Sequence, residues 1–374
     1  MNLLLKNIHA YAPEDCGVVD LLVVGTHIAA MGKHLDVSIP GLSVRDCEGM
    51  TAIPGLIDQH VHVTGGGGEA GPESRVPPLE ISDCAEAGVT TLVGTLGTDS
   101  HTRTLRDLYA KTMALKNEGV TSWCLTGAYE YPSPALTGSV ADDIVFVSSV
   151  IGCKLAISDH RCSCPSTDEI IRLASQVRLG GLISGKVGEL HIHVGADPKG
   201  IAQLFEAIGK APIPITQYRP THMGRHLEQA EKWVSLGGYA DITAGEDAVK
   251  ALASLYEKLS PDAWSHVTLS SDSNGSMPKW NERREIVGMD RGRMTSLLTT
   301  ISLMVGKGVP LSDVLPCCTS HVSEALKFPD AGRLEVGKRA DLVLLDRFKA
   351  RSVMAKGEWL SLDGVILKKG MYQM

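Results

Sequence analysis

His60 and His62 stand one residue apart in GLIDQHVHVTGGGGEAGPESR (residues 55–75), behind an apolar run and ahead of four consecutive glycines and Glu69. In a strand, residues i and i+2 project from the same face, so both imidazoles offer nitrogen to one point. Other short apolar runs end in His193 (ELHIHVG), His222 (IPITQYRPTH) and Asp272 (HVTLSSDSNG), and one carries Lys154 near its start (CKLAISDHR). Taken singly, each has an ordinary explanation: a strand histidine is often a satisfied core residue, and an aspartate at a strand end is often a helix cap. Four imidazoles and a carboxylate gathered at one rim are a set of nitrogen and oxygen donors that suits zinc or another first-row metal. Lys154 has a different use. Burial lowers the pKa of an ammonium, and the neutral amine can be carboxylated by CO₂ to an anion able to bridge two metals.

These donors meet only if the strands that carry them are parallel neighbours. The candidate strands are 52–62, 89–97, 121–129, 153–161, 189–195, 213–222, 240–244 and 266–275. Amphipathic stretches with glycine stops separate them, as in 100–119, 167–181 and 226–238. Eight strands, each followed by a helix, predict an α/β fold of the (β/α)₈ barrel type, whose sites form at the C-terminal strand ends. A doubly wound open sheet usually has fewer strands and a glycine-rich phosphate loop, whereas here the glycines precede Glu69, which would repel phosphate. Residues 1–51 and 330–374 read as short β-type runs. They are expected to form one small β-sandwich domain from both termini, with the barrel inserted over 52–329.

Composition limits the possible partners. Of 374 residues, 43% are hydrophobic and 21% charged, as in an ordinary globular protein. The net charge of −7 gives no basic footprint for nucleic acid. No stretch approaches the ~20 apolar residues of a membrane span, and the start MNLLLKNIHAYAPEDCG does not read as a signal peptide. Nine cysteines without a CxxC pair predict reduced thiols and a cytoplasmic location.

A family resemblance joins these motifs. HVH, the later Lys, His, His and Asp, and the tail GRLEVGKRADLVLLD resemble the amidohydrolase superfamily. More narrowly, QHVHVTGGGGEAGP, VGTLGTDS, LTGAYEYPS, KLAISDHR, PTHMGR and LSSDSNGS resemble the isoaspartyl (β-aspartyl) dipeptidases. The resemblance implies two divalent metals, zinc in the first instance. His60, His62 and Asp272 would hold one, His193 and His222 the other, with carboxylated Lys154 and a hydroxide between them. His191, deeper in its strand, is left to packing or outer-shell support.

The same resemblance implies a small dipeptide substrate, with Asp272 as general base and Tyr129 as oxyanion donor. Such a substrate carries an ammonium and carboxylates. Glu69 suits the first, on a loop that Gly67 and Gly68 let approach the ligand closely. Arg161 and Arg225 suit the carboxylates, since a guanidinium pairs bidentately. Thr98 and Ser276 would add hydroxyl contacts. A homo-oligomer, with an octamer as one form, is also implied. Cys162 and Cys164 match no ligand position. The polar segment 277–293 is expected to form a loop over the site, and it and residues 130–133 are where a changed specificity would lie. Two alternatives remain: a dihydroorotase- or hydantoinase-like cyclic amidase or N-acyl-amino-acid hydrolase, and a non-catalytic scaffold on the same fold. All six ligand positions are filled, which speaks against the scaffold.

Overall fold

The computed structural model describes residues 1–373. Five strands come first: β1 (Asn2–Tyr11), β2 (Asp15–Val24), β3 (His27–Gly32), β4 (Leu42–Asp46) and β5 (Thr51–Pro54). Eight apolar runs follow as β6 (Leu56–Val61), β7 (Val89–Gly94), β8 (Thr121–Gly127), β9 (Val150–Ile157), β10 (Glu189–Val194), β11 (Tyr218–Thr221), β12 (Ala240–Thr243) and β13 (Val267–Ser270). After them come β14 (Ser276–Trp280), β15 (Ile286–Arg291), β16 (Leu342–Asp346), β17 (Lys349–Ala355), β18 (Glu358–Leu362) and β19 (Val365–Ile366).

The eight middle strands form the barrel. β6 to β11 pair in sequence as a six-stranded parallel sheet, and β12 pairs with β13 in parallel. β13 returns to β6 through a parallel bridge between Val61 and Ser273, where the His62 N–H donates to the Ser273 carbonyl at 2.9 Å. Every residue of β6, β7, β9, β10 and β11 is buried, as strands covered on both faces must be. The longest covering helix, Thr167–Ser184, starts at a Ser166/Glu169 capping box and stops at left-handed Gly185. It buries Ile170, Leu173, Ala174 and Val177.

The inward residues include many polar ones. Lys154, His191 and Arg219 are direct neighbours across β9, β10 and β11, so they share one layer and one face. All three are fully buried, and charged side chains in such a place need partners. That requirement turns the barrel floor into a hydrogen-bonded network.

Both chain ends build a nine-stranded sheet in the order β19-β18-β17-β16-β5-β1-β2-β3, with β4 on β1. Its core holds Leu5, Ile8, Leu21, Val23, Leu342 and Leu344. The run expected as one strand over 52–62 is divided at Gly55. Thr51–Pro54 pairs with β1 and β16 in the terminal sheet, and Leu56–Val61 enters the barrel. A Cβ at Gly55 would lie 2.2 Å from Thr90 Oγ1, so the crossover passes where only glycine fits.

Two further expectations change in detail. β9 begins at Val150, which puts Lys154 in mid-strand instead of near the start. The segment expected as a loop over 277–293 is largely the antiparallel hairpin β14–β15. Its turn is made by Asn281, whose Oδ1 accepts from the Arg283 and Glu285 amides. No helix among the described residues is long and apolar enough to cross a membrane.

Candidate metal centre

The C-terminal strand ends bring together most of the predicted donors. Donor atoms of His60, His62 and Asp272 lie within 4.8 Å of one another. Asp272 Oδ1 is 3.2 Å from His62 Nε2 and 3.5 Å from His60 Nε2, and Lys154 Nζ is 3.0 Å from His60 Nε2. The His222 ring centroid is 5.2 Å from that of His60 and 4.5 Å from that of His193, so the second pair borders the first. His193 faces the Tyr129 hydroxyl through Nδ1 at 2.6 Å.

Two observations fit a cation here. Asp272 Oδ1 and His62 Nδ1 are buried polar atoms without a hydrogen bond, a condition that native interiors rarely leave uncompensated. The donors are also in the ligating state. Burial, reinforced by Lys154 for His60 and by His193 for His222, holds both imidazoles well below their ordinary pKa. His193 is pushed down to about 4 by burial against the pull of Asp159. Burial would raise Asp272, but His62 and Lys154 hold it below the usual carboxylate value. Neutral imidazoles beside an ionised carboxylate are what a divalent metal needs. Burial also lowers Lys154 to about 7 despite Asp272, Asp241 and Glu189.

The backbone is shaped around these groups. His222 (φ 65°) and Asp272 (φ 53°) are both left-handed, a conformation that costs non-glycine residues on the order of 1–3 kcal/mol and clusters at functional sites. Close glycines hold the ligand side chains. A Cβ at Gly97 would stand 2.8 Å from His62 Cε1. Gly97→Ala should therefore weaken divalent-metal affinity by on the order of tenfold, as read by chelator competition. Unchanged affinity would remove His62 from the ligand set.

Above the cluster opens a cavity of about 1150 Å³, lined by His62, His193, His222, Asp272 and Tyr129. His60 (1% exposed) and Lys154 (0%) lie beneath it. On one wall Glu69 accepts from Thr98 Oγ1 (2.8 Å), Ser276 Oγ (2.9 Å) and Arg161 Nη1 (3.1 Å). Four of the residues singled out for substrate thus meet at one carboxylate. Arg225 also lines the cavity, and among the described residues its side chain makes no hydrogen bond or ion pair. Gly67 lines it with φ 92°, and a Cβ there would meet Ser74 O at 2.7 Å. Gly68 (φ 103°) bends the loop without reaching the cavity wall. Cys162 and Cys164 sit at the rim with sulfurs 4.0 Å apart, outside the donor cluster.

Asp159 was not singled out from the sequence, although it lies in the quoted SDHR. It accepts from both Arg161 Nε and Nη2 (each oxygen within 2.9 Å) and meets His193 Nε2 at 2.9 Å. Thr243, whose Oγ1 is 2.5 Å from His222 Nδ1, was missed as well. The hairpin adds Trp280, edge-on to His160 with ring centroids 4.9 Å apart.

A model of the amidohydrolase family matches residues 51–360, all of the barrel and part of the terminal sheet. The chain belongs to the amidohydrolase family. A β-aspartyl dipeptidase from the thermophilic, keratin-degrading Fervidobacterium islandicum AW-1, solved in complex with the β-Asp-Leu dipeptide, is 40% identical to this amidohydrolase. That comparison covers 99% of this chain and 100% of the other, with a TM-score of 0.94. The resemblance to β-aspartyl dipeptidases thus extends over the whole amidohydrolase chain. A deacetylase from Brucella anthropi is 24% identical, over 92% of this chain and 84% of its own length. A dihydroorotase structure, 19% identical with a TM-score of 0.63 over 96% and 99% of the two chains, shares the fold.

Proposed function

We propose that this amidohydrolase is a binuclear metal-dependent dipeptidase that cleaves the β-linked amide bond of isoaspartyl dipeptides. One observation carries the reading: the Glu69 carboxylate, gripped by Thr98, Ser276 and Arg161, shares a cavity wall with a His/Asp donor cluster. A hydrolase for cyclic amides has no use for an anion there, whereas a free α-ammonium does. The 40% identity to a β-aspartyl dipeptidase supports the same substrate class.

His60, His62 and Asp272 would hold one zinc ion, His193 and His222 the other, and carboxylated Lys154 would lie between them. Bound there, the metals would supply a water of lowered pKa and a polarised amide carbonyl. Asp272 takes the proton of the attacking water and delivers it to the leaving amine. The Tyr129 hydroxyl, raised well above its ordinary pKa by burial, stays protonated and donates to the developing oxyanion. Glu69 receives the substrate ammonium, with Thr98 and Ser276 orienting it, while Arg161 and Arg225 receive carboxylates. Gly67 holds the loop against the ligand, and Gly68 bends the backbone behind it. Steady-state hydrolysis of β-Asp-Leu, α-Asp-Leu and dihydroorotate, with metal content measured on the same sample, tests the reading. Cleavage of dihydroorotate but not β-Asp-Leu would overturn it.

Carboxylation of Lys154 has a pH signature. Below about 7 the ammonium is protonated and cannot take CO₂; above it the free amine can. After chelation, zinc reconstitution at pH 8 should recover more activity with bicarbonate than in CO₂-free buffer, and at pH 6 bicarbonate should make no difference. Equal recovery at pH 8 would argue against the modification.

The nine unbonded cysteines support a reducing, cytoplasmic setting. Assembly into a homo-oligomer is supported by exposed apolar side chains on neighbouring helices, Phe146 (75%), Leu182 (64%) and Ile183 (64%). Light scattering at the mass of one chain would exclude it.

A further inference from the structure

His60 and His62 differ in one respect. His62 Nδ1 is buried without a hydrogen bond, whereas His60 Nδ1 faces two acceptors. One is His191 Nε2 at 3.1 Å and the other Thr221 Oγ1 at 3.4 Å. We infer that a buried chain running Arg219–Glu189–His191 fixes the tautomer of His60, so that its Nε2 lone pair is aimed at the metal cluster before any metal arrives. His191 and Glu189 are on this account positioning residues for metal binding. The inference rests on the proposed metal site.

The direction of each hydrogen bond follows from what the groups can do. Arg219 Nε donates to Glu189 Oε2 at 3.1 Å, and a guanidinium has no acceptor. Glu189 Oε1 stands 3.2 Å from His191 Nδ1, and an ionised carboxylate only accepts. His191 Nδ1 must therefore carry the proton. The neutral ring is left with an Nε2 lone pair, and His60 Nδ1–H is the donor that meets it. His60 Nε2 is then unprotonated and points toward Lys154 Nζ and Asp272 Oδ1.

Thr221 enforces the same polarity from another side. Its hydroxyl donates to Asp241 Oδ2 at 2.6 Å, and Asp241 also accepts from Ser270 at 2.6 Å and from Gln59 at 2.6 Å. With its proton committed, Thr221 can only accept from His60. Both routes end in a carboxylate. Glu189, His191 and Arg219 are each 0% exposed, so water cannot re-supply a proton of the wrong polarity. Outer partners of this kind typically change metal affinity by about 10–100-fold.

Three variants separate tautomer control from simple packing. Glu189→Gln keeps shape but reverses polarity. Arg219 claims the amide oxygen, the amide NH₂ faces His191 Nδ1, and the proton on His60 is driven to Nε2. His191→Gln preserves polarity, because its oxygen can accept from His60 while its nitrogen donates to Glu189. His191→Leu can do neither. Each metal-free protein is titrated with Zn²⁺ against a chromophoric chelator, and its folding is followed by thermal unfolding.

The expected result is a 10–100-fold loss of zinc affinity at one site for E189Q and H191L, with H191Q within about threefold of wild type. Wild-type affinity in E189Q, or equal losses in H191Q and H191L, would overturn the inference. If E189Q does not fold, the H191Q and H191L pair decides alone. A wild-type protein that binds no zinc would instead overturn the metal-site reading beneath it.

Discussion

Asp272→Asn should lower turnover of a β-aspartyl dipeptide by on the order of 10³-fold while both metals remain bound, because general acid–base groups contribute about 10²–10⁴-fold. The substitution is clean for a structural reason. Asp272 occupies the left-handed region (φ 53°), where asparagine is one of the few side chains at ease. Gly275 and Gly292 crowd it so closely that a Cβ on either would fall 2.6 Å from Asp272 Oδ1 or 1.9 Å from its carbonyl oxygen. An isosteric amide therefore keeps its place and its oxygen toward the cluster, and only the capacity to take a proton is lost. Near-normal kcat would remove Asp272 as the base, and loss of metal together with kcat would make it chiefly a ligand.

Glu69→Gln is the second large effect, and it falls on a different part of the reaction. The side chain is not in the donor cluster, so metal content should stay as in wild type. Its charge faces Thr98, Ser276 and Arg161, and removing it takes away a charged hydrogen bond to the substrate ammonium, worth about 1.5–3 kcal/mol. That corresponds to a fall in kcat/KM of about 10²-fold at the upper end. The loss should be much smaller for a β-linked amide that lacks the free ammonium. A variant that loses metal would show that Glu69 supports the cluster, and equal losses on both compounds would show that it does not read the ammonium.

Much of this site could be read from the chain because it depends on short-range patterns. Most barrel strands are largely apolar runs buried on both faces, and runs of that kind stand out against amphipathic helices. The barrel then places His60, His62, His193, His222 and Asp272 at one rim by topology alone. The missed residues depend on contacts across the fold. Asp159 matters because β9 and β10 are neighbours and His193 turns toward it, and nothing in SDHR announces that contact. The division at Gly55 is set by Thr90 on the adjacent strand, and from the run alone AIPGLIDQHVH reads as one strand. The hairpin after β13 is masked in the sequence, since Pro278 and Lys279 in β14 and Asp290 and Arg291 in β15 break the alternation that marks a strand. The polarity of the Glu189–His191–His60 chain is legible only in three dimensions, because Glu189 and His191 share β10 but His60 lies on β6, 131 residues away.

The contact between Glu69 and Arg161 has a consequence for selectivity. Without a guest Arg161 is held between Glu69 and Asp159, so these charges are stored as an internal salt, and Arg225 is the cavity cation whose side chain has no such counterion. A β-aspartyl dipeptide, with one ammonium and two carboxylates, offers Glu69 a cation and Arg161 an anion and brings a second carboxylate for Arg225. The exchange at Glu69 and Arg161 should then depend little on ionic strength, and the salt dependence of binding should come from the contact with Arg225. A guest carrying only one charge would draw one member out of the pair without meeting the other, leaving Arg161 with Asp159 alone or Glu69 with hydroxyls alone. The pair thus works as a double lock: a dipeptide blocked at either end, by N-acetylation or C-terminal amidation, should bind worse than the loss of one contact alone would predict.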